Sequence, residues 1–195
     1  MMRILKTGQA APPDYIVEAA LDVWRQTGEQ HLISTTGRSM LPLIQEGDQV
    51  LVTHGCESVQ RGDVVVFRQK GQLIAHRVMR IQSRENGPAF VTRGDNVLCS
   101  DPPVNADKVM GRVLAIKRHG RLMALNTPFW YIVGRVVAVG TLPVMGLCDW
   151  GRNLKHHLWG TAPHPLTNLM RRSILIPFSI ALRIAQIMSD RWKNN

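Results

Sequence analysis

The chain has 195 residues, 45% of them apolar, 19% charged and 6% aromatic, which is enough for one domain with its own core plus an appendage and too little charge for a coiled coil or a disordered charged tail. Its formal net charge of +10 is uneven: residues 1–111 carry 12 Lys/Arg and 12 Asp/Glu, whereas residues 112–195 carry 12 Lys/Arg against only Asp149 and Asp190. A neutral first part therefore precedes a basic part suited to an anionic partner, whether phospholipid headgroups, nucleic acid or acidic protein.

Residues 1–13 are mixed in polarity and end in Ala10-Ala11-Pro12-Pro13, unlike the basic start and apolar stretch of a secretion signal. Pro12-Pro13-Asp14 predicts a helix start, Ile16, Val17, Ala20, Leu21, Val23 and Trp24 recur at helical spacing, and Gly28 is a stop. This amphipathic helix is expected to pack on the domain that follows. From about residue 31 to 125 the pattern changes to short runs rich in Val, Ile and Leu at 49–53, 63–68, 73–81, 89–92 and 109–117. Turn pairs separate them: Gly47-Asp48, Gly62-Asp63, Lys70-Gly71, Asn86-Gly87 and Gly94-Asp95. The fold class predicted is mainly β, with an N-terminal helical segment (1–30), a β-rich domain (31–125) and a basic C-terminal extension (126–195).

Within the extension, residues 132–148 carry Arg135 as their one charge and are flanked by Trp130, Tyr131 and Trp150. That pattern fits either a short membrane span or, given Gly134, Gly140, Pro143 and Gly146, a loop with buried structure. Residues 173–188 predict an amphipathic helix with Ile174, Phe178, Ala181, Leu182, Ala185 and Met188 on its apolar side. Ser179, Arg183, Gln186 and Asp190 form a narrow polar stripe. Flanked by Arg171-Arg172 and Arg191-Trp192-Lys193, it suits an anionic membrane surface or a packing partner in equal measure. No helix-turn-helix, finger or aromatic stacking platform accompanies the charge, which disfavours nucleic acid. His156-His157, His164 and Cys148 follow no standard metal-site spacing, so neither metal nor cofactor is expected. Cys56, Cys99 and Cys148, odd in number and far apart, predict free thiols.

The sharpest local feature is Thr36-Gly37-Arg38-Ser39-Met40-Leu41-Pro42 followed by Glu46-Gly47-Asp48. A serine between a glycine-containing turn and a proline-stiffened segment lies in irregular backbone, where its hydroxyl is presented and its N–H is free of a ladder. A serine needs a base to become a nucleophile. Histidine is the side chain suited to proton transfer at physiological pH, and His76 is the candidate. Strand alternation places His76 with Ile74 and Val78 on one face, partly buried and fixed in direction. Asp95 and Asp101 are the candidate acids to orient it.

Taken in order, Ser39-Met40 with Pro42, the Gly47-Asp48 strand, 61–67, Ala75-His76-Arg77-Val78, Arg93-Gly94-Asp95-Asn96 with Asp101, and Met110-Gly111-Arg112-Val113 resemble the signal peptidase I group of serine proteases. That group lies within the wider set that includes LexA-like self-cleaving repressors. The resemblance covers about two fifths of the chain. Bacterial members use a lysine base, whereas the archaeal and endoplasmic-reticulum type has histidine where this sequence has His76. It implies Ser39 as nucleophile, His76 as base and then acid, and Asp101 rather than Asp95 as the third member, with Asp95 bracing the turn. Gly37, Ser39, Met40 and Pro42 would position substrate and oxyanion. Relatives often carry serine and glycine where this chain has Gly37 and Arg38, and an apolar anchor before the nucleophile that residues 1–38 lack.

The resemblance thus implies a serine endopeptidase that cleaves leader or signal peptides after small residues, of the Ala-x-Ala kind. Its partners would be precursor peptides and, through residues 130–195, an anionic membrane surface. Two alternatives share the fold: a LexA-like self-cleaving regulator and a non-catalytic peptide-binding module.

Overall fold

The computed structural model of the protein describes residues 3–5, 23, 30–55, 59–69, 72–85, 87–143, 146, 180, 182–184 and 186–187. Nine strands form one antiparallel sheet: β1 Arg3–Leu5, β2 Gln30–Thr36, β3 Gln49–His54, β4 Val64–Gln69, β5 Gln72–Arg84, β6 Gly87–Arg93, β7 Val104–Asn105, β8 Val109–Arg118 and β9 Arg121–Ala124. Their order is β1-β2-β3-β8-β4-β5-β6-β7, with β9 on β8. Arg3 of β1 also pairs with Ile74 of β5, so the first six strands of that order close into a ring and β6 and β7 extend outward from β5. Closure removes the exposed edges that an open sheet leaves unpaired.

The mainly β expectation holds, and each of the five strand runs read from the sequence lies in or overlaps a strand. The weakly alternating strand β2 and the short β1, β7 and β9 were not anticipated. β4 shows why the central strands read as unbroken apolar runs: Val64, Val65, Val66 and Phe67 are all buried because both faces of the sheet are covered. Val64 and Val66 join Ala75, Val113, Met40 and Ile44 in one core cluster. Val65 and Phe67 join Ile74, Val78 and Phe90 in another on the opposite face.

The helix α1 (Pro128–Gly140) packs against this body. Thr127 caps it by accepting from the Trp130 N–H, and Pro128 opens the first turn, where a missing N–H costs nothing. Trp130, Gly134, Val137 and Ala138 form its buried face. The approach is close: a Cβ on Gly62, which has φ +97°, would lie 2.6 Å from the Gly134 carbonyl carbon. No helix among the described residues is long and apolar enough to cross a membrane.

Two expectations change, one in the C-terminal part and one in the β-rich domain. Ile180, Leu182–184 and 186–187 are helical, but Gln186, assigned to the polar stripe, is buried and its amide donates to the carbonyls of Leu43 (2.9 Å) and Pro42 (3.3 Å). A polar side chain on this face is used to satisfy backbone carbonyls of the loop behind Ser39, which periodicity cannot reveal. Cys99, expected as a free thiol, is disulfide-bonded. Spacing misled because two cysteines distant in sequence need only be close in space. Apart from Val23, which is helical, the proposed helix at residues 12–28 lies outside the described residues, as do Cys56, Cys148, Trp150, His156, His157 and His164.

Candidate active site

The segment after β2 cannot continue the ladder. Gly37 adopts φ +93°, and Ser39 to Ile44 form a tight turn in which the Ile44 N–H donates to the Met40 carbonyl at 3.0 Å. Met40, Leu43 and Ile44 drive their side chains into the core, which anchors the turn from beneath. Ser39 is left with its hydroxyl facing β5 and its N–H donating to no group among the described residues.

His76 enters from the middle of β5, between β4 (opposite Val65) and β6, with the Phe67 ring edge-on at 6.1 Å between centroids. Its Nε2 lies 2.9 Å from Ser39 Oγ and its Nδ1 lies 2.6 Å from Asp101 Oδ2. An ionised carboxylate only accepts, so Nδ1 carries the proton toward Asp101 and, in the neutral ring, Nε2 accepts from the Ser39 hydroxyl. Ser39 is 3% and His76 4% exposed, so bulk water does not compete for the hydrogen bond between them.

Asp101 is placed by Thr92, a residue the sequence reading did not single out. The Thr92 hydroxyl donates to Asp101 Oδ2 at 2.8 Å, and the Thr92 carbonyl accepts from the Asp101 N–H at 2.8 Å. A buried threonine at the end of an apolar strand was the one available sign. Asp95 sits elsewhere. Both its oxygens accept from Arg77, at 2.8 Å from Nε and 2.6 Å from a terminal nitrogen, while the other terminal nitrogen donates to the Gly62 carbonyl at 2.7 Å. Arg77 and Asp95 are 3% and 5% exposed. Of the four residues named as catalytic candidates, Ser39, His76 and Asp101 are therefore brought together, whereas Asp95 braces the loop that carries Gly94 and Asn96.

That loop seats the serine. The Asn96 N–H donates to the Ser39 carbonyl at 2.7 Å and its side-chain amide donates to the Arg38 carbonyl at 2.9 Å. Gly94 lies so close that an added Cβ would stand 2.6 Å from the Ser39 carbonyl oxygen and 3.0 Å from His76 Nε2. Of the positioning residues expected, Gly37 supplies the turn and Ser39 an unused N–H. Met40 is wholly buried in the core and Pro42 is buried with its carbonyl bound to Gln186.

Electrostatically, Arg93 is also buried, at 1% exposure. One of its terminal nitrogens donates to Thr141 Oγ1 at 2.9 Å, while its Nε and other terminal nitrogen meet no partner among the described residues. Desolvation pulls its pKa below the usual arginine value, opposed by the charge of Asp95. Asp63, in the turn before β4, is shifted the other way. Burial raises its carboxyl above the usual range, against the Gln60 N–H and the Arg112 charge. No cluster of His, Cys, Asp and Glu able to hold a metal occurs among the described residues.

The family model described as Peptidase S24-like matches residues 6–114. The chain is similar to the signal peptidase complex catalytic subunit SEC11 of Yarrowia lipolytica, with 35% identity over 75 residues covering 37% of this chain and 44% of that protein. It is also similar to SEC11 of Scheffersomyces stipitis, with 27% identity over 101 residues covering 48% of this chain and 61% of that protein. The chain thus spans about half the length of these curated relatives, and no solved structure matches it. With its β-rich body, its serine–histidine–aspartate chain and a family match over more than half its length, the protein belongs to the Peptidase S24-like family.

Proposed function

We propose that the protein is a serine endopeptidase of signal-peptidase type, with residues 31–125 as the peptidase unit and 126–195 as a membrane-facing extension. The observation that carries this reading is the hydrogen-bonded chain from Ser39 Oγ through His76 to Asp101. In the reaction, Ser39 Oγ attacks the peptide carbonyl while His76 Nε2 takes the hydroxyl proton. Asp101 holds the ring in the Nδ1–H tautomer and stabilises the imidazolium that forms. The oxyanion meets the unused Ser39 N–H, a donor of the kind whose loss typically costs about 10²–10³ in rate. His76 then returns its proton to the leaving amine, and water releases the acyl group by the same route in reverse.

The outer face of α1 supports peripheral membrane association. Phe129, Ile132, Val136 and Val139 recur at spacings of 3, 4 and 3 and are 40–63% exposed. A helix apolar on both its inner and outer faces needs a second apolar environment. Residues 112–143 contain no Asp or Glu, which suits a lipid surface bearing negative headgroups.

The test is cleavage of precursor peptides carrying Ala-x-Ala sites, followed by mass spectrometry in the presence of anionic vesicles, beside the Ser39→Ala and His76→Ala variants. Cuts after small residues that both substitutions abolish support the reading. Peptide binding without cutting would favour a non-catalytic module, and a cut of the chain itself near Ala10-Ala11 would favour a self-cleaving regulator.

A further inference from the structure

We propose that Arg38 is a specificity-determining residue that selects substrates bearing a carboxylate side chain within about three residues of the scissile bond. This rests on the peptidase reading above and names its substrate class. Arg38 immediately precedes Ser39, is exposed, and makes no side-chain hydrogen bond or ion pair among the described residues. Its backbone is nevertheless fixed: Gly37 turns the chain before it, and Asn96 holds its carbonyl and that of Ser39. The guanidinium is therefore a tethered cation with a free end at the lip of the site.

The carboxylates nearby are already engaged. Asp95 gives both oxygens to Arg77, and Asp101 is held by His76 and Thr92. Among the described residues, the segments that build the site (36–42, 76–77 and 92–101) carry Arg38, Arg77 and Arg93 against Asp95 and Asp101, one positive charge in excess when His76 is neutral. Of these five, Arg38 alone is exposed to an incoming chain. Consecutive Cα atoms are ~3.8 Å apart and an extended substrate rises ~3.3–3.4 Å per residue. The long arginine stem at position 38 therefore sweeps the two or three substrate residues on either side of the carbonyl that Ser39 attacks. An acidic side chain there gains an ion pair and electrostatic steering, and a basic one meets repulsion.

The experiment uses peptides built around an Ala-x-Ala site with Asp, Asn or Lys placed in turn at each of the three positions before and after the cut. Affinities are measured by fluorescence anisotropy with the Ser39→Ala protein, in which nothing is cut, and kcat/KM with the wild type. At one or two positions the Asp peptide should bind about two- to five-fold more tightly than its Asn twin, the range of an exposed ion pair, and the Lys peptide more weakly. The preference should shrink between about 0.1 M and about 1 M salt, as the screening length falls to ~3 Å. It should vanish in Arg38→Gln, survive in Arg38→Lys and invert in Arg38→Glu. Equal affinity of the three twins at every position, or no binding of any, overturns the assignment of Arg38. A charge preference in binding with no cleavage by the wild type keeps that assignment and refutes the peptidase reading instead.

Discussion

Replacing Asp95 by alanine should destabilise the protein severely, because Asp95 is the carboxylate that pairs directly with Arg77. The pair is bidentate, at 2.8 and 2.6 Å, and both residues are at least 95% buried. Its loss would leave the Arg77 guanidinium with the Gly62 carbonyl as its one hydrogen-bond acceptor among the described residues, beside a second buried arginine, Arg93, which lies opposite it in the β5–β6 register. Deleting one partner of a buried pair costs about 3–5 kcal/mol, since the other charge is left desolvated. In a chain of this size, about 2–4 °C of melting temperature accompanies each kcal/mol, so the melting point should fall by about 6–20 °C. Urea unfolding of Asp95→Ala, Arg77→Met and the double variant provides the assay. The double variant should recover part of the loss, because it removes both charges together. A single-variant cost under about 1 kcal/mol, or a double variant no better than Asp95→Ala, would refute the bracing role.

Gly94→Ala should cut kcat/KM by about 100-fold or more, since its Cβ would displace the Ser39 carbonyl and misplacement on the ångström scale costs about that much; near-wild-type rates would show that Ser39 does not need this seat. Thr92→Val keeps the shape of the side chain but removes one donor from Asp101, and a tenfold loss of kcat/KM, about 1.4 kcal/mol, with little change in stability is expected; no loss would remove Thr92 from the machinery. Asp63 carries a raised pKa, so its contribution to stability is complete below the ordinary carboxylate value of 3.8 and is lost as pH rises through the folded value. Asp63→Asn should therefore gain on the wild type over that window and hold a constant advantage above it, as read from urea midpoints across pH; a gap that closes as pH rises would reverse the sign.

Much of the fold was legible because its central strands are covered on both faces, so runs such as Val64 to Phe67 are apolar without interruption. β2 was harder to see, since the apolar Leu32 is exposed beside Gln30 while the polar Thr35 is buried, so its polarity does not track its burial. The geometry around Ser39 depends on contacts between residues 37 and more positions apart, and no spacing rule encodes these. The resemblance to a known group ranked Asp101 above Asp95, and the coordinates give the physical reason for the difference: Arg77 occupies both oxygens of Asp95. Asn96 and Gln186 act through hydrogen bonds to groups distant in sequence, and Thr92 through one across the irregular loop to Asp101. They look like ordinary strand, turn and helix-surface residues until the chain is folded.

The most direct test of the central claim compares kcat/KM for one cleaved precursor peptide across wild type, Ser39→Ala, His76→Ala and Asp101→Asn, each checked for folding. The account predicts no turnover without Ser39 or His76, and a loss of about 10⁴ in Asp101→Asn, where the wrong histidine tautomer is held. Cleavage that persists in folded Ser39→Ala would contradict it.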